Sequence, residues 1–297
     1  MRVTFSASFR DASTEINRTA DQLAAAQRQV SSGLRISKPS DDPAGASAAI
    51  ADHAALGALD AYTQTADAAT SRLTVVDSAL TDIVNKITAA QTAAISAQGS
   101  SQSQSQRDAA AANLRAVSDA LAADFNAQFH GVYLFGGSLA TTPPYINTAG
   151  TISSYQGNAT AASVEIDRGR LLQISFDGGL IAQGGDPADV FTVLSDLVTA
   201  VQAGDSSGIG QGLDALGRAF DRATFAQTQV GTSLAALDDG RASLSASRLA
   251  TSADLSKTED ADMASAIMRM SQADTAYRAA LGAFSRIGSV SLMDYLK

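Results

Sequence analysis

Both ends of this chain carry apolar residues at the spacing of a coiled coil. Near the start, large apolar residues fall seven positions apart beside a second, mostly small row: Phe9, Ile16, Leu23 and Val30, with Phe5, Ala12, Thr19 and Ala26. Near the finish, apolar residues alternate in steps of four and three, interrupted by Asp274: Met263, Ile267, Met270, Tyr277, Leu281 and Phe284. Each segment predicts a long amphipathic helix.

Neither helix has an apolar partner close to it in sequence. Isolated helices gain little stability from helix propensity, so each stripe must be buried against the other, against another subunit, or against both. This requirement favours an assembly component over an enzyme. We predict a mainly α fold, in which both chain ends build a long antiparallel helical bundle or coiled-coil rod, with a small β-rich inserted subdomain.

Charge and composition exclude several functions. Residues 1–42 contain six basic and five acidic side chains and residues 257–297 contain five of each, so the net charge of −9 leaves −10 for residues 43–256. An acidic middle argues against nucleic-acid binding, and the last helix lacks the Lys/Arg excess that anionic lipids attract. Cysteine is absent, which removes disulfides and thiolate chemistry.

The start of the chain lacks the apolar core of a signal peptide, and no segment approaches the roughly 20 apolar residues that cross a bilayer. These criteria indicate a cytoplasmic protein. Export through a dedicated channel without a cleaved signal is an alternative that composition does not decide.

Residues 33–43 predict a helix stop, a turn and a helix restart. Gly33 can end the first helix, because glycine adopts the left-handed conformation found after helix C-termini. Pro39 forces its predecessor to be extended, and Asp42 followed by Pro43 is typical of an N-cap and first helical position. Asp41 and Asp42 could also suggest acid–base or calcium chemistry, but turn formation explains them without a ligand.

The remaining sequence predicts helices on either side of a β-rich insert. Helical spacing indicates helices at about 5–33, 43–97 and 106–130, and from Pro187 to the end, with a break at 204–212 and a joint near 254–260. We expect a hairpin loop at 99–105, followed by a capping box that starts at Ser105. Phe129 would lie on the apolar face of the 106–130 helix.

Residues 131–186 alternate polar and apolar residues between glycines, as short strands and turns do. The glycine pairs at 136–137 and 178–179 are interpreted as turns, because neither leads into a helix with the Lys-Ser/Thr pair of a phosphate loop. His53 and His130 lie far apart, so we expect core or surface roles rather than metal binding or catalysis. We predict no cofactor.

The stop-and-restart segment at residues 32–45 resembles the N-terminal signature of the flagellin superfamily. Three details are more similar to its hook–filament junction members than to flagellin itself: PSDDP at 39–43, YLFGG at 133–137 followed by PPY at 143–145, and the ending IGSVSLMDYL at 287–296. The order of these motifs along the chain carries the resemblance. Departures are the short β insert, Asp274 in the C-terminal stripe, and Lys297 after the usual terminal leucine.

The resemblance implies three domains. Residues 1–42 and 257–297 would form the terminal coiled-coil domain of an inner tube, 43–130 and 187–256 a helical rod, and 131–186 a small β-rich outer domain. Implied partners are further copies in a ring or helical layer, the hook-side junction protein (hook-associated protein 1), flagellin, and an export chaperone at the C-terminal helix. The protein would be secreted through the flagellar channel without a cleaved signal.

We predict that both terminal stripes make assembly contacts. Part of each stripe would be covered by the other within one subunit, so residues off the main seam are better candidates for contacts between subunits. These are Phe5, Ile36, Ile287, Val290 and Leu292.

The leading hypothesis is a non-enzymatic structural adaptor at the hook–filament junction. The first alternative is flagellin, the filament subunit itself. A weaker alternative is a ligand-binding or enzymatic role in residues 131–186, supported only by the strands and loops expected there.

Overall fold

The computed structural model describes residues 2–99, 102–139, 141–148 and 150–295, without the side chains of residues 2–6, 8 and 287–295. The chain divides into two compact units. The terminal unit combines Met1–Leu59 with Ala246–Lys297, and the central unit is Asp60–Ser245. We describe each unit by itself.

The described residues are mainly helical, which confirms the predicted fold class. The helices are α1 (Arg2–Ser32), α2 (Pro43–Ala97), α3 (Gln104–Phe125), α4 (Gly178–Ala182), α5 (Val190–Ala203), α6 (Ser206–Glu259) and α7 (Met263–Tyr295). The strands are β1 (Gln128–Phe129), β2 (Val132–Tyr133), β3 (Asn147–Thr148), β4 (Thr151–Ile152), β5 (Ser163–Asp167) and β6 (Arg170–Gln173). Successive strands pair as antiparallel hairpins, β1 with β2, β3 with β4 and β5 with β6.

In the terminal unit, α1 and α7 lie side by side and antiparallel. The amide of Ala261, just before α7, donates to the carbonyl oxygen of Gly33, just after α1, at 2.8 Å. At the other end of the pair, the rings of Phe9 and Phe284 are in contact. The first and last long helices of the chain therefore cover one another, as their apolar spacing predicts.

In the central unit, helices α2, α3, α5 and α6 surround a continuous apolar core. Helices α2 and α6 run antiparallel, because Asp67 pairs with Arg241 at 2.7 Å while Gln227 donates to Thr81 at 2.9 Å. The widest part of the core holds aromatic rings. Phe125, Tyr145 and Phe191 contact one another with centroids 4.6–5.8 Å apart.

The β-rich segment contributes to this same core. Phe135, Tyr145 and Ile166 are fully buried within it. The segment also contains α4, where we expected a turn at residues 178–179. The carboxylate of Asp177 accepts the amide of Gly179 at 2.9 Å, so this N-cap starts a short helix despite two glycines.

Further local predictions were wrong. The break expected at 204–212 is confined to residues 204–205, because α6 begins at Ser206. Helix α3 ends at Phe125, and Phe129 belongs to β1. The Asn126 side chain explains the early end, because it exchanges hydrogen bonds of 2.6 and 3.0 Å with the backbone of Tyr145. The capping box starts at Ser103 rather than Ser105, since Gln106 accepts the Ser103 amide at 2.8 Å.

Candidate assembly surface

The seam between α1 and α7 combines a large row with a small row on each helix. On α7 the covered positions alternate in steps of four and three: Ala266, Met270, Ala273, Tyr277, Ala280 and Phe284. The matching positions on α1 are Ala12, Ile16, Thr19, Leu23, Ala26 and Val30. Small side chains let two helices approach closely while the large ones fill the gaps between them. Both rows are thus at least partly buried within a single chain.

A second row of large apolar side chains on α7 remains partly exposed. Met263, Ile267 and Leu281 are 41%, 49% and 42% exposed. Asp274 lies midway between Ile267 and Leu281, seven positions from each. We call Met263, Ile267, Asp274 and Leu281 the α7 stripe. Ile267, Asp274 and Leu281 are seven residues apart, about two helical turns, and share one face of the helix. Met263 lies one turn before Ile267, at the edge of that face.

The outer face of α1 has a different character. Among the described side chains of α1, Phe9 is the only large apolar one that is exposed. Its other outward positions hold residues such as Arg18 and Glu15, which pair with one another. The uncovered apolar surface of the helix pair therefore belongs mainly to α7. Exposed apolar rows of this kind mark interaction surfaces.

Hydrogen bonds join the turn between α1 and α2 to the link between α6 and α7. We call these contacts, at residues 33–36 and 258–261, the clasp. The amide of Arg35 donates to the carbonyl oxygen of Glu259 at 2.6 Å, and its guanidinium donates to the carbonyl oxygen of Thr258 at 2.6 Å. Leu34 and Asp260 form an isolated antiparallel bridge. Nearby, the ring of His53 lies 2.8 Å from the carboxylate of Glu259. These contacts fix where α7 begins relative to the end of α1.

The two aspartates of the turn accept backbone hydrogen bonds. Asp41 accepts the amides of Ser37 and Lys38 at 3.1 and 3.0 Å, and these bonds hold the pKa of its carboxyl below the usual range. Asp42 caps α2 by accepting the Gly45 amide at 3.0 Å. That bond, followed by the Arg35 guanidinium at 3.2 Å, likewise lowers the pKa of Asp42.

Gly45 lies where a larger residue would displace neighbouring side chains. Helix α2 packs there against Ile36 and the capping carboxylate, and a Cβ at Gly45 would lie 2.5 Å from Ile36 Cδ1 and 2.6 Å from Asp42 Oδ2. Ile36 is only 6% exposed as a result. The remaining residues of the predicted turn have plain roles, with Gly33 at a positive φ of 73° and Pro43 as the first residue of α2. Pro39 lies exposed in the turn.

The sequence of this chain matches two protein-family models. Residues 6–140 match the bacterial flagellin N-terminal helical region, and residues 213–296 match the bacterial flagellin C-terminal helical region. Together the two regions take in most of the sequence. The chain belongs to the flagellin family.

Individual relatives of this flagellin-family chain are hook-associated proteins. It is 24% identical to flagellar hook-associated protein 3 of Escherichia coli K12 over 292 residues, which is 91% of each chain. A solved flagellar hook-associated protein of Vibrio parahaemolyticus superposes with a TM-score of 0.70 at 17% identity, over 74% of this chain and all of that one. The flagellar junction protein FlgL of Legionella pneumophila superposes with a TM-score of 0.55 at 14% identity. The match covers 63% of this chain and 98% of that one.

The structure places the predicted contact residues of this flagellin-family chain in three settings. Half-buried in the seam are Ile16, Leu23, Val30, Met270, Tyr277 and Phe284. Exposed or partly exposed outside it are Met263, Ile267 and Leu281, while Phe9 is exposed at the seam's edge. Ile36 is buried within the chain, which leaves little of it for a neighbour. The side chains of Phe5, Ile287, Val290 and Leu292 lie outside those described.

Sequence reasoning missed the small row of the seam on α7. Ala266, Ala273 and Ala280 face α1, whereas the larger Ile267 and Leu281 of the adjacent row stay uncovered. The signal was present, because the three alanines are spaced seven apart. A search for large apolar residues passes over alanine. It therefore selected the row of Ile267 and Leu281 and missed the row of alanines.

The β-rich segment has a groove of about 800 Å³ against α6, with exposed Leu180 and Phe225 on its walls. Its cationic residue is already engaged, since Arg222 pairs with Asp186 at 2.6 Å and donates to the carbonyl oxygen of Ile181 at 3.0 Å. Across the described residues, we find no group of three or more His, Asp or Glu side chains placed to hold a metal ion. None of the helices, over their described residues, is both long and apolar enough to cross a membrane.

Proposed function

We propose that this chain is a non-enzymatic structural adaptor that assembles at the hook–filament junction of the bacterial flagellum. The observation that carries the proposal is the α7 stripe, an apolar row left uncovered after the two terminal helices have closed on one another. The relatives support the location. The match to flagellar hook-associated protein 3 of Escherichia coli takes in 91% of this chain.

Assembly follows from burial of this stripe. Removing apolar surface from water contributes about 25 cal/mol per Å². Ordering the helix ends opposes much of that gain, because each fixed residue costs conformational entropy. A single contact between two subunits is therefore weak, and a stable layer needs several neighbours. This dependence confines assembly to a place where a template already exists.

The proposal assigns a role to each part of the chain. Residues 1–42 and 257–297 line the inner tube, 43–130 and 187–256 form the helical rod, and 131–186 faces outward. The partners are further copies of this chain, hook-associated protein 1 on the hook side, and flagellin on the filament side. An export chaperone binds the C-terminal helix before secretion, which proceeds without a cleaved signal.

Deletion of the gene separates the adaptor from the filament subunit. Loss of an adaptor leaves hooks on the cell while flagellin escapes into the medium. Loss of flagellin itself leaves no flagellin to escape. Electron microscopy of the deletion strain and an immunoblot for flagellin in the medium distinguish these results, and intact filaments in the deletion strain would contradict both.

A point variant then tests the stripe. Leu281→Asp places a carboxylate on the α7 stripe, where burial of an unpaired charge costs several kcal/mol. We expect this variant to be secreted and helical but absent from the junction, so that filaments are lost. The matched control is Ile95→Asp, which makes the same apolar-to-acidic change at an exposed residue of α2. Full filaments built by Leu281→Asp would show that the stripe is not an assembly surface.

A further inference from the structure

We propose that Asp274 fixes the stagger with which a second copy of this chain packs on the α7 stripe. The inference rests on the proposed function and goes beyond it, because it assigns the choice of register to one residue. Asp274 interrupts an otherwise apolar row, with Ile267 seven positions before it and Leu281 seven positions after it.

The Asp274 carboxylate does not stand by itself on this face. Arg278 forms a two-point contact with it, with Nη2 2.9 Å from Oδ2 and Nε 3.1 Å from Oδ1. The Arg278 side chain is 77% exposed and that of Asp274 is 40% exposed. Each copy therefore presents one acidic and one basic group beside the apolar row.

A purely apolar heptad row specifies register poorly. Sliding one helix by seven residues, about 10 Å, again sets apolar positions against apolar positions. Asp274 removes that equivalence, because a slipped arrangement covers the Asp274–Arg278 ion pair with an apolar side chain, and the attraction within a buried pair does not repay the loss of its hydration unless further hydrogen bonds form. Only a stagger that keeps a cation or water at the carboxylate avoids the cost. Polar residues in coiled-coil seams act in this way.

Charge and polarity argue that the occupant is a second copy of this chain. Residues 1–42 and 257–297 are close to neutral, whereas 43–256 carry −10, so two terminal units approach each other without like-charge repulsion. Among the described side chains of α1, the outer face is polar apart from Phe9 at the edge of the seam, so it offers the stripe no apolar row as a counterpart. The Asp274–Arg278 pair is self-complementary, since each group of one copy can meet the opposite group of the next.

Site-specific cross-linking in flagella tests the stagger. The chain has no cysteine, so Ala264→Cys and Ser271→Cys each introduce a unique thiol at an exposed position of α7, seven residues apart. Cells that express both variants can form like pairs (264 with 264, 271 with 271) or mixed pairs (264 with 271) in the junction layer, and a slip by seven residues exchanges one kind for the other. We expect one kind of pair to dominate when Asp274 is present. With Asp274→Leu we expect both kinds and a loss of attached filaments.

A charge swap between positions 274 and 278 distinguishes a loss of register from misfolding of the Asp274→Leu variant. Asp274→Arg should give both kinds of pair, and adding Arg278→Asp should restore a single kind. Circular dichroism of the secreted chains verifies that the helices form. A single kind of pair in Asp274→Leu, both kinds already with Asp274 present, or no rescue by the swap would each overturn the inference. If Leu281→Asp also builds filaments, the stripe and the proposed function fail; if only the Asp274 variants behave normally, only the register inference fails.

Discussion

The ring of Phe9, near the start of α1, lies against the ring of Phe284, near the end of α7, with centroids 4.9 Å apart and planes tilted by 48°. The clasp at residues 33–36 and 258–261 holds the opposite end of the same helix pair. The seam is thus secured at both ends, by an aromatic pair at one and by backbone hydrogen bonds at the other.

We predict that Phe284→Ala loosens the distal end of the seam and leaves the clasp intact. An aromatic pair contributes about 0.5–1.5 kcal/mol beyond the area it buries. Hydrogen exchange should speed up at α7 amides near position 284 and remain unchanged near position 263. A double-mutant cycle with Phe9→Ala isolates the pair. Strictly additive effects of the two changes would mean that the rings do not stabilise each other.

We predict that Arg35→Ala opens the clasp. The change removes the guanidinium bonds to the Thr258 carbonyl oxygen and to the Asp42 carboxylate, and should cost about 1 kcal/mol in the terminal unit. Hydrogen exchange of the amides at Arg35 and Ala261 measures the loss. Arg18→Ala is the control, because Arg18 pairs only with its exposed helix neighbour Glu15 among the bonds described, and such exposed pairs contribute little to stability. Equal effects of the two changes would remove any special role for Arg35.

We predict opposite effects for two glycine substitutions in α2. Gly45→Ala forces Ile36 and the Asp42 cap apart and should destabilise the turn, whereas Gly57→Ala meets no atom within 4 Å. The second change should stabilise the helix by about 0.5–1 kcal/mol, because glycine loses more backbone freedom than alanine on folding. Thermal unfolding of both variants measures whether each substitution lowers or raises the stability of the protein. A stabilising Gly45→Ala would show that the turn can widen freely.

We predict that Asp124→Asn stabilises the central unit near neutral pH. Atom Oδ2 of Asp124 is buried and has no hydrogen-bond partner in the structure. Burial, and then the nearby Asp82, raise its pKa above the ordinary 3.8, while Lys86 opposes the rise. A raised folded-state pKa means that the stabilising contribution is present below the ordinary pKa and is lost as pH rises through the folded value. The variant should therefore gain about 0.5–1 kcal/mol at neutral pH, after allowance for solvent screening.

Urea unfolding at neutral pH and at a pH below the ordinary carboxyl pKa measures this gain, which should shrink in acid. Asp82→Asn removes one source of repulsion and should give a smaller gain of the same sign. A gain that is constant with pH would show that the ionisation of Asp124 is not its cause.

Local signals in the sequence predicted much of the fold. The bounds of α2 at Pro43 and Ala97 follow from the Asp42 cap, the proline after it and the polar loop that ends the helix. Strands β3 and β4 could not be predicted, because two residues are too few to show a period. Helix α4 was missed because its first two residues are glycines, which disfavour helices, and its cap outweighs them.

The candidate site was harder to predict than the fold. Periodicity shows that α7 has an apolar side, but two adjacent rows, one of alanines and one of larger residues, share that side. The choice of row that turns inward depends on the shape of α1, which the spacing of α7 does not encode. Ile36 escaped prediction for a related reason, because its burial depends on the missing side chain of Gly45.

Since α1 is covered by α7, the ribosome completes the partner of α1 only after α2 to α6 have been made. Until then the nascent chain must hold an amphipathic segment with nothing of its own to shield it, and such segments are prone to aggregate. A premature stop codon ahead of residue 263 would consequently do more than shorten the product. It would leave the apolar face of α1 exposed, and we expect proteases to degrade the truncated product.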